Sequence, residues 1–244
     1  MVINIIIKIL ILIGLVLPII ILTFNRIRKN YINILLFYAY YIIWCFFNSP
    51  LRANFDIFDS KWNWEGKMMA FVFSIIFILV FNKRLQPYNF FTILQKEKST
   101  KPIFLVIGII LILATIFSYF TGDKVAFSYD TLAFQISMPG LDEEFAHRGI
   151  MMGLLCSALQ DHISIGRIKI ISPAVLVTAT LFGLIHGFPL TPYLDWKFDY
   201  FSFVYTFVFG LIWGWMVLKS RSIVASTLSH SLTNFISTLM TMIK

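Results

Sequence analysis

Apolar residues along this chain come in long unbroken runs, neither alternating as in a strand nor recurring at the spacing of a one-sided surface helix. Runs of about 17–25 apolar residues are the unit that crosses a bilayer as a helix. Eight such runs are present, approximately Val2–Phe24, Tyr31–Phe47, Trp64–Phe81, Pro102–Phe120, Gly140–Ala158, Ile170–Gly187, Phe201–Leu218 and Ser222–Ile243. They predict an all-α, polytopic membrane helix bundle of about eight transmembrane helices. The third run is purely apolar only over Met68–Phe81, with Lys67 free to snorkel and Trp62 and Trp64 suited to the headgroup level. The stretch Asn82–Lys101 is basic and mildly amphipathic, and is expected to lie along the interface. It divides the chain into N-terminal helices with an interfacial segment (1–101) and a second helix bundle (102–244). The first run is longer than a typical signal-peptide core and lacks a small-residue cleavage site, so it is expected to be retained.

Composition strengthens this picture. Only 13% of the residues are charged and 59% are hydrophobic, with a mean hydropathy of +0.82. A soluble domain carries about 25% charged residues, which excludes a water-soluble enzyme or a disordered chain. The net charge of +8 then points to loops facing anionic lipid, not to nucleic acid. Cys45 and Cys156 lie inside apolar runs, with no disulfide framework or metal-type spacing. Twelve of the lysines and arginines fall in four alternate loops, around residues 25–30, 82–101, 161–169 and 219–221, against five in the other three. The positive-inside rule therefore places both termini on the outer face.

The few ionisable residues inside the runs carry the chemistry, because each costs about 2.5–3.5 kcal/mol on insertion scales. Lys8, near the start of the first run, is expected to snorkel outward. The fifth run opens Pro139-Gly140-Leu141-Asp142-Glu143-Glu144-Phe145-Ala146-His147-Arg148. Pro139 and Gly140 suit a helix start, and Asp142 suits a cap favoured by the helix dipole. Glu144 and Arg148, and likewise Glu143 and His147, are four apart and can pair on one helix face. His186 closes the sixth run, and the eighth carries His230 and Asn234 at the same four-residue spacing. His162 sits in a basic loop and is expected to be solvated. Polar groups on three separate helices, all able to face one interior, define a candidate site of Glu143, Glu144, Arg148, His186, His230 and Asn234.

The sequence Glu143-Glu144-x-x-x-Arg148, followed by Phe182-x-x-x-His186 and His230-x-x-x-Asn234 on separate runs, resembles the CPBP family of CAAX proteases and bacteriocin-processing enzymes, also called the Abi family. The likeness covers roughly residues 100–244. The Gly210–Gly214 pair is similar to the small-residue helix that precedes the last motif there, and such pairs allow close helix approach. His147 departs from the pattern, which more often has an apolar or aromatic residue. The resemblance implies an intramembrane peptidase in which Glu143, with His186, positions and deprotonates a water. Arg148 would pair with Glu144, and His230 and Asn234 would form the oxyanion hole. No cofactor is expected; a zinc version would use Glu143, His186 and His230 with an open fourth position. The implied partners are membrane lipid and a small hydrophobic or membrane-associated peptide. Usage rich in Ile, Lys, Asn and Phe suggests a low-GC bacterium and hence its plasma membrane. The competing reading is a non-catalytic immunity or regulatory scaffold. A transporter would more naturally show an internal repeat or matching broken helices, and neither is found.

Overall fold

The computed structural model describes residues 2–49, 57–191, 193 and 197–244. It is a bundle of α-helices: α1 (Val2–Thr23), α2 (Tyr31–Asn48), α3 (Trp64–Leu85), α4 (Thr100–Thr121), α5 (Tyr129–Glu144), α6 (Met152–Ala158), α7 (Pro173–Gly187), α8 (Tyr200–Ser220) and α9 (Val224–Ile243). A π-helical stretch, Phe145–Met151, joins α5 to α6 without a break, so the described helices make eight passes through the bundle. Among the described residues, α1, α2, α3, α4 and α8 are each long and apolar enough to cross a bilayer. Isoleucines, leucines and phenylalanines cover their outward faces, including Ile21, Leu22, Leu79 and Phe120. This is an all-α membrane bundle of a multi-pass protein.

Two boundaries differ from the sequence expectation. The fifth crossing begins not at Pro139-Gly140 but at Tyr129, where the Ser128 side chain accepts from the Thr131 N–H at 3.2 Å as an N-cap. The first turns of α5, with Asp130, Thr131, Gln135 and Ser137, are too polar to join the apolar run. Gly140 serves a helix crossing: a Cβ there would lie 2.1 Å from Ser231 Oγ and 3.1 Å from the Thr227 carbonyl oxygen, both on α9. The sixth crossing begins at Pro173, whose missing N–H suits a helix's first turn. Ile170 belongs instead to an antiparallel hairpin of β1 (Ile163–Ile165) and β2 (Ile168–Ile171), which turns through Gly166 at φ +59°. The Gly210–Gly214 pair behaves as expected: added Cβ atoms would lie 2.9 Å from Ala179 and 2.8 Å from Val175, so α8 lies directly against α7.

Cross-links within the loops establish two distinct ends. At one, Arg28 donates to the Cys156 and Leu159 carbonyls at 2.9 and 3.1 Å and to Asp161 at 2.7 Å. Arg28 thereby satisfies carbonyls at the C-terminus of α6 and holds the Asp161 carboxyl below the usual carboxylate range. The segment after α3 is non-helical and docked against the α8–α9 turn, where the Ile223 N–H donates to the Phe90 carbonyl at 3.1 Å and the Lys96 N–H to Ser220 at 2.7 Å. The Ser222 hydroxyl adds a bond to the Thr92 carbonyl. All four basic loops sit at this end. At the other, Ser60 and Trp64 both bond Asp130, and the Val125 N–H reaches the Thr241 carbonyl at 3.1 Å.

Lys8 also belongs to this second end and does not snorkel. It is 1% exposed, and its ammonium donates to Thr191 Oγ1 at 2.7 Å and to the Pro189 carbonyl at 3.2 Å. Because α1 packs against α7, the carbonyls just beyond α7 are nearer than any aqueous exit.

Two measurements check this arrangement. Cys45 and Cys156 are buried, so Lys124→Cys and Arg167→Cys can be labelled selectively; the two are expected to react from opposite sides of the membrane, position 124 from outside. Gly140→Val is expected to push α5 off α9 and lower stability by about 1–3 kcal/mol, seen as a lower thermal midpoint in detergent.

Candidate active site

The site is built on the junction between α5 and the π-helical stretch. A π-turn inserts an extra residue per turn and recurs at functional sites. Here the widened turn keeps Asp142, Glu144, His147 and Arg148 fully buried in consecutive turns, with Glu143 8% exposed. Glu144 Oε1 lies 3.1 Å from Arg148 Nη1, the ion pair expected from the four-residue spacing. The Arg148 guanidinium lies among rings, 4.3 Å from the centroid of Phe182 and 5.4 Å from that of Trp213. The pairing expected between Glu143 and His147 is absent: Glu143 is taken by Lys67, and neither His147 ring nitrogen finds a hydrogen-bond partner. His147 instead meets the rings of Trp44 and Phe182 edge-on, at 5.1 and 5.3 Å.

From α9, His230 stands between the two glutamates. Its Nδ1 is 3.0 Å from Glu144 Oε1 and its Nε2 is 3.9 Å from Glu143 Oε2. Glu144 as a carboxylate can only accept, so Nδ1 carries the proton. The ring stacks on Trp213 with centroids 4.1 Å apart, and Trp213 is held in turn by its Nε1–H donating to Ser229 Oγ at 3.1 Å. From α7, His186 Nδ1 lies 2.7 Å from the Phe182 carbonyl oxygen. A carbonyl cannot donate, so this bond fixes the Nδ1–H tautomer and leaves Nε2 with a free lone pair. Glu143, His186, His230 and Asn234 line one cavity of about 360 Å³. Trp62, Phe134 and Tyr205 also line it, all near helix ends opposite the basic loops.

Three residues of this site escape sequence reasoning. Asp142 is not a cap: it is fully buried, accepting from Trp44 Nε1 at 2.8 Å and from Lys67 Nζ at 2.9 Å. Lys67 does not snorkel but turns inward, and also donates to Glu143 Oε1 at 2.6 Å. One signal for Lys67 is present in the sequence. Asn63 caps α3 by accepting from the Gly66 N–H at 2.9 Å, which starts the helix at Trp64 and carries Lys67 into the bundle. For Trp44 and Asp142 no local pattern exists, since each finds its partner on another helix. Among the described residues, no three His, Cys, Asp or Glu side chains converge as metal ligands, and the Lys67 ammonium already occupies one Glu143 oxygen.

Comparison with known families matches residues 125–236 to the model described as Type II CAAX prenyl endopeptidase Rce1-like. The match starts just before α5 and ends within α9, so it contains Glu143, Glu144, Arg148, His186, His230 and Asn234, and leaves Trp44 and Lys67 outside. No curated protein and no solved structure matches the chain. The segment similar to the Rce1-like type II CAAX prenyl endopeptidases is thus the one that carries the paired glutamates and the two cavity histidines.

Proposed function

We propose that this protein is an intramembrane endopeptidase that hydrolyses a peptide bond in a small hydrophobic or membrane-associated peptide, with Glu143 and His186 activating the attacking water. One observation carries the reading: a carboxylate oxygen of Glu143, an imidazole whose tautomer leaves Nε2 basic, and the side chains of His230 and Asn234 line a single cavity. Glu143 and His186 take a proton from water as its oxygen attacks the scissile carbonyl carbon. The carbonyl π electrons move onto oxygen, where the Asn234 amide and the His230 imidazole form the oxyanion hole. The tetrahedral intermediate then expels the amine, which receives the proton held by the base pair. Glu144 and Arg148 act at one remove, Glu144 by orienting His230 through Nδ1 and Arg148 by neutralising Glu144.

The same cavity bears on substrate and mechanism. Its aromatic lining suits an apolar peptide segment, and its position opposite the basic loops has the substrate approach from the outer face of what we read as a bacterial plasma membrane. The Lys67 ammonium on Glu143 favours a glutamate-activated water over a bound dication.

The test is to reconstitute the wild type and Glu143→Gln in liposomes with a library of membrane peptides and identify products by mass spectrometry. Wild type is expected to cleave and Glu143→Gln to lose about 10²–10⁴-fold in rate. Identical products from both, or none from wild type, contradict the reading. Asn234→Ala is expected to lower kcat about 10²-fold. Chelator treatment is expected to leave cleavage intact, and stoichiometric zinc with chelator-sensitive, zinc-restored activity would replace the proposed chemistry by the metal version.

A further inference from the structure

We infer that Lys67, contributed by α3 from outside the family-matched segment, is the positioning residue that fixes the Glu143 carboxylate for catalysis; this rests on the peptidase reading above. Its side chain is 11% exposed and its ammonium contacts two carboxylates, Glu143 at 2.6 Å and Asp142 at 2.9 Å. Taking a lone ammonium out of water costs several kcal/mol unless it is paired, so these contacts are the condition for Lys67 being there at all. An ammonium has three donors. Two are spent on the carboxylates, and the charge lies 5.6 Å from the ring centroid of Trp44, the residue that holds Asp142 by its other oxygen. Trp44, Asp142 and Lys67 thus form a rigid chain of contacts from α2 through α5 to α3.

The consequence is asymmetry at Glu143. Lys67 takes Oε1, whereas Oε2 faces His230 across 3.9 Å, a gap too wide for a direct hydrogen bond and suited to a bridging water. Pinning one oxygen stops the carboxylate from rotating and presents the other to the cavity. Without Lys67, Glu143 turns freely and shares its charge with Asp142 one residue away. Substrate contacts along the aromatic lining are untouched, so the loss is one of orientation.

The experiment measures cleavage of a peptide established as a wild-type substrate, using Lys67→Met, Lys67→Arg and Glu143→Gln in liposomes. Lys67→Met is expected to lower kcat about 10²-fold with KM unchanged within about twofold, as for a misplaced catalytic group. Lys67→Arg, whose guanidinium can still bridge two carboxylates, is expected to recover kcat to within about tenfold of wild type. A purely structural role would lower the folded fraction and not this pattern of kcat loss and arginine rescue. Where Lys67→Met does not fold, the folded Lys67→Arg decides alone: wild-type KM with substantial kcat supports the inference, and an inactive, folded Lys67→Arg overturns it. Wild-type kcat in Lys67→Met alongside an inactive Glu143→Gln overturns the role of Lys67 and leaves the peptidase reading standing. Unimpaired cleavage by Glu143→Gln overturns the peptidase reading itself.

Discussion

A charged side chain inside a bundle whose outer surface is isoleucine, leucine and phenylalanine has no bulk water to turn to, so it must find its counter-charge on a neighbouring helix. In this protein that requirement gathers Asp142, Glu143, Glu144, Arg148 and Lys67 into one connected cluster, with His230 joining the two glutamates. Each contact crosses between helices or turns that apolar packing alone would leave free to slide. Two cations stand among three carboxylates, and removing either cation leaves a further uncompensated charge, which typically costs about 3–5 kcal/mol. The geometry that holds the cluster together also aims one Glu143 oxygen into the cavity. Cohesion and chemistry depend on the same atoms.

Around this cluster the helices have separable tasks. The α5–π–α6 crossing supplies the acids and Arg148, α7 supplies His186, and α9 supplies His230 and Asn234. Small residues let these helices approach: Gly140 admits α9, while Gly210 and Gly214 bring α8 against α7. Trp44 and Lys67 come from α2 and α3 and complete the site from a part of the chain that the family match does not reach. The N-terminal helices are thus more than a membrane anchor; through Lys67 they touch Glu143, the residue proposed to activate water.

Much of this was legible in the sequence where the physics is local. The apolar runs marked all eight crossings, and the four-residue spacings of Glu144 with Arg148 and of His230 with Asn234 placed each pair on one side of its helix. The errors share a cause. Lys8, Lys67 and Asp142 lie near apparent span ends, and reasoning one helix at a time sends such groups to the nearest aqueous exit. The fold sends them inward, because carbonyls of the loop after α7, Glu143, and the Trp44 indole lie closer. The pairing of Glu143 with His147 failed because a lysine from another helix takes the Glu143 carboxylate, which no local spacing announces. The start of α5 was hidden because its first turns are polar enough to interrupt the apolar run.

The central claim is that a charge contact between α3 and α5 locks the site together, and a double-mutant cycle on unfolding tests it most directly. Lys67→Met, Glu143→Gln and the double variant would be unfolded in the same bilayer mimetic and their stabilities compared with wild type. Residues in direct contact couple by about 0.5–3 kcal/mol, and a short buried ion pair belongs at the upper end of that range. The double variant is therefore predicted to lose clearly less stability than the two single losses combined. Strict additivity would show that Lys67 and Glu143 do not sense each other, and would contradict the account.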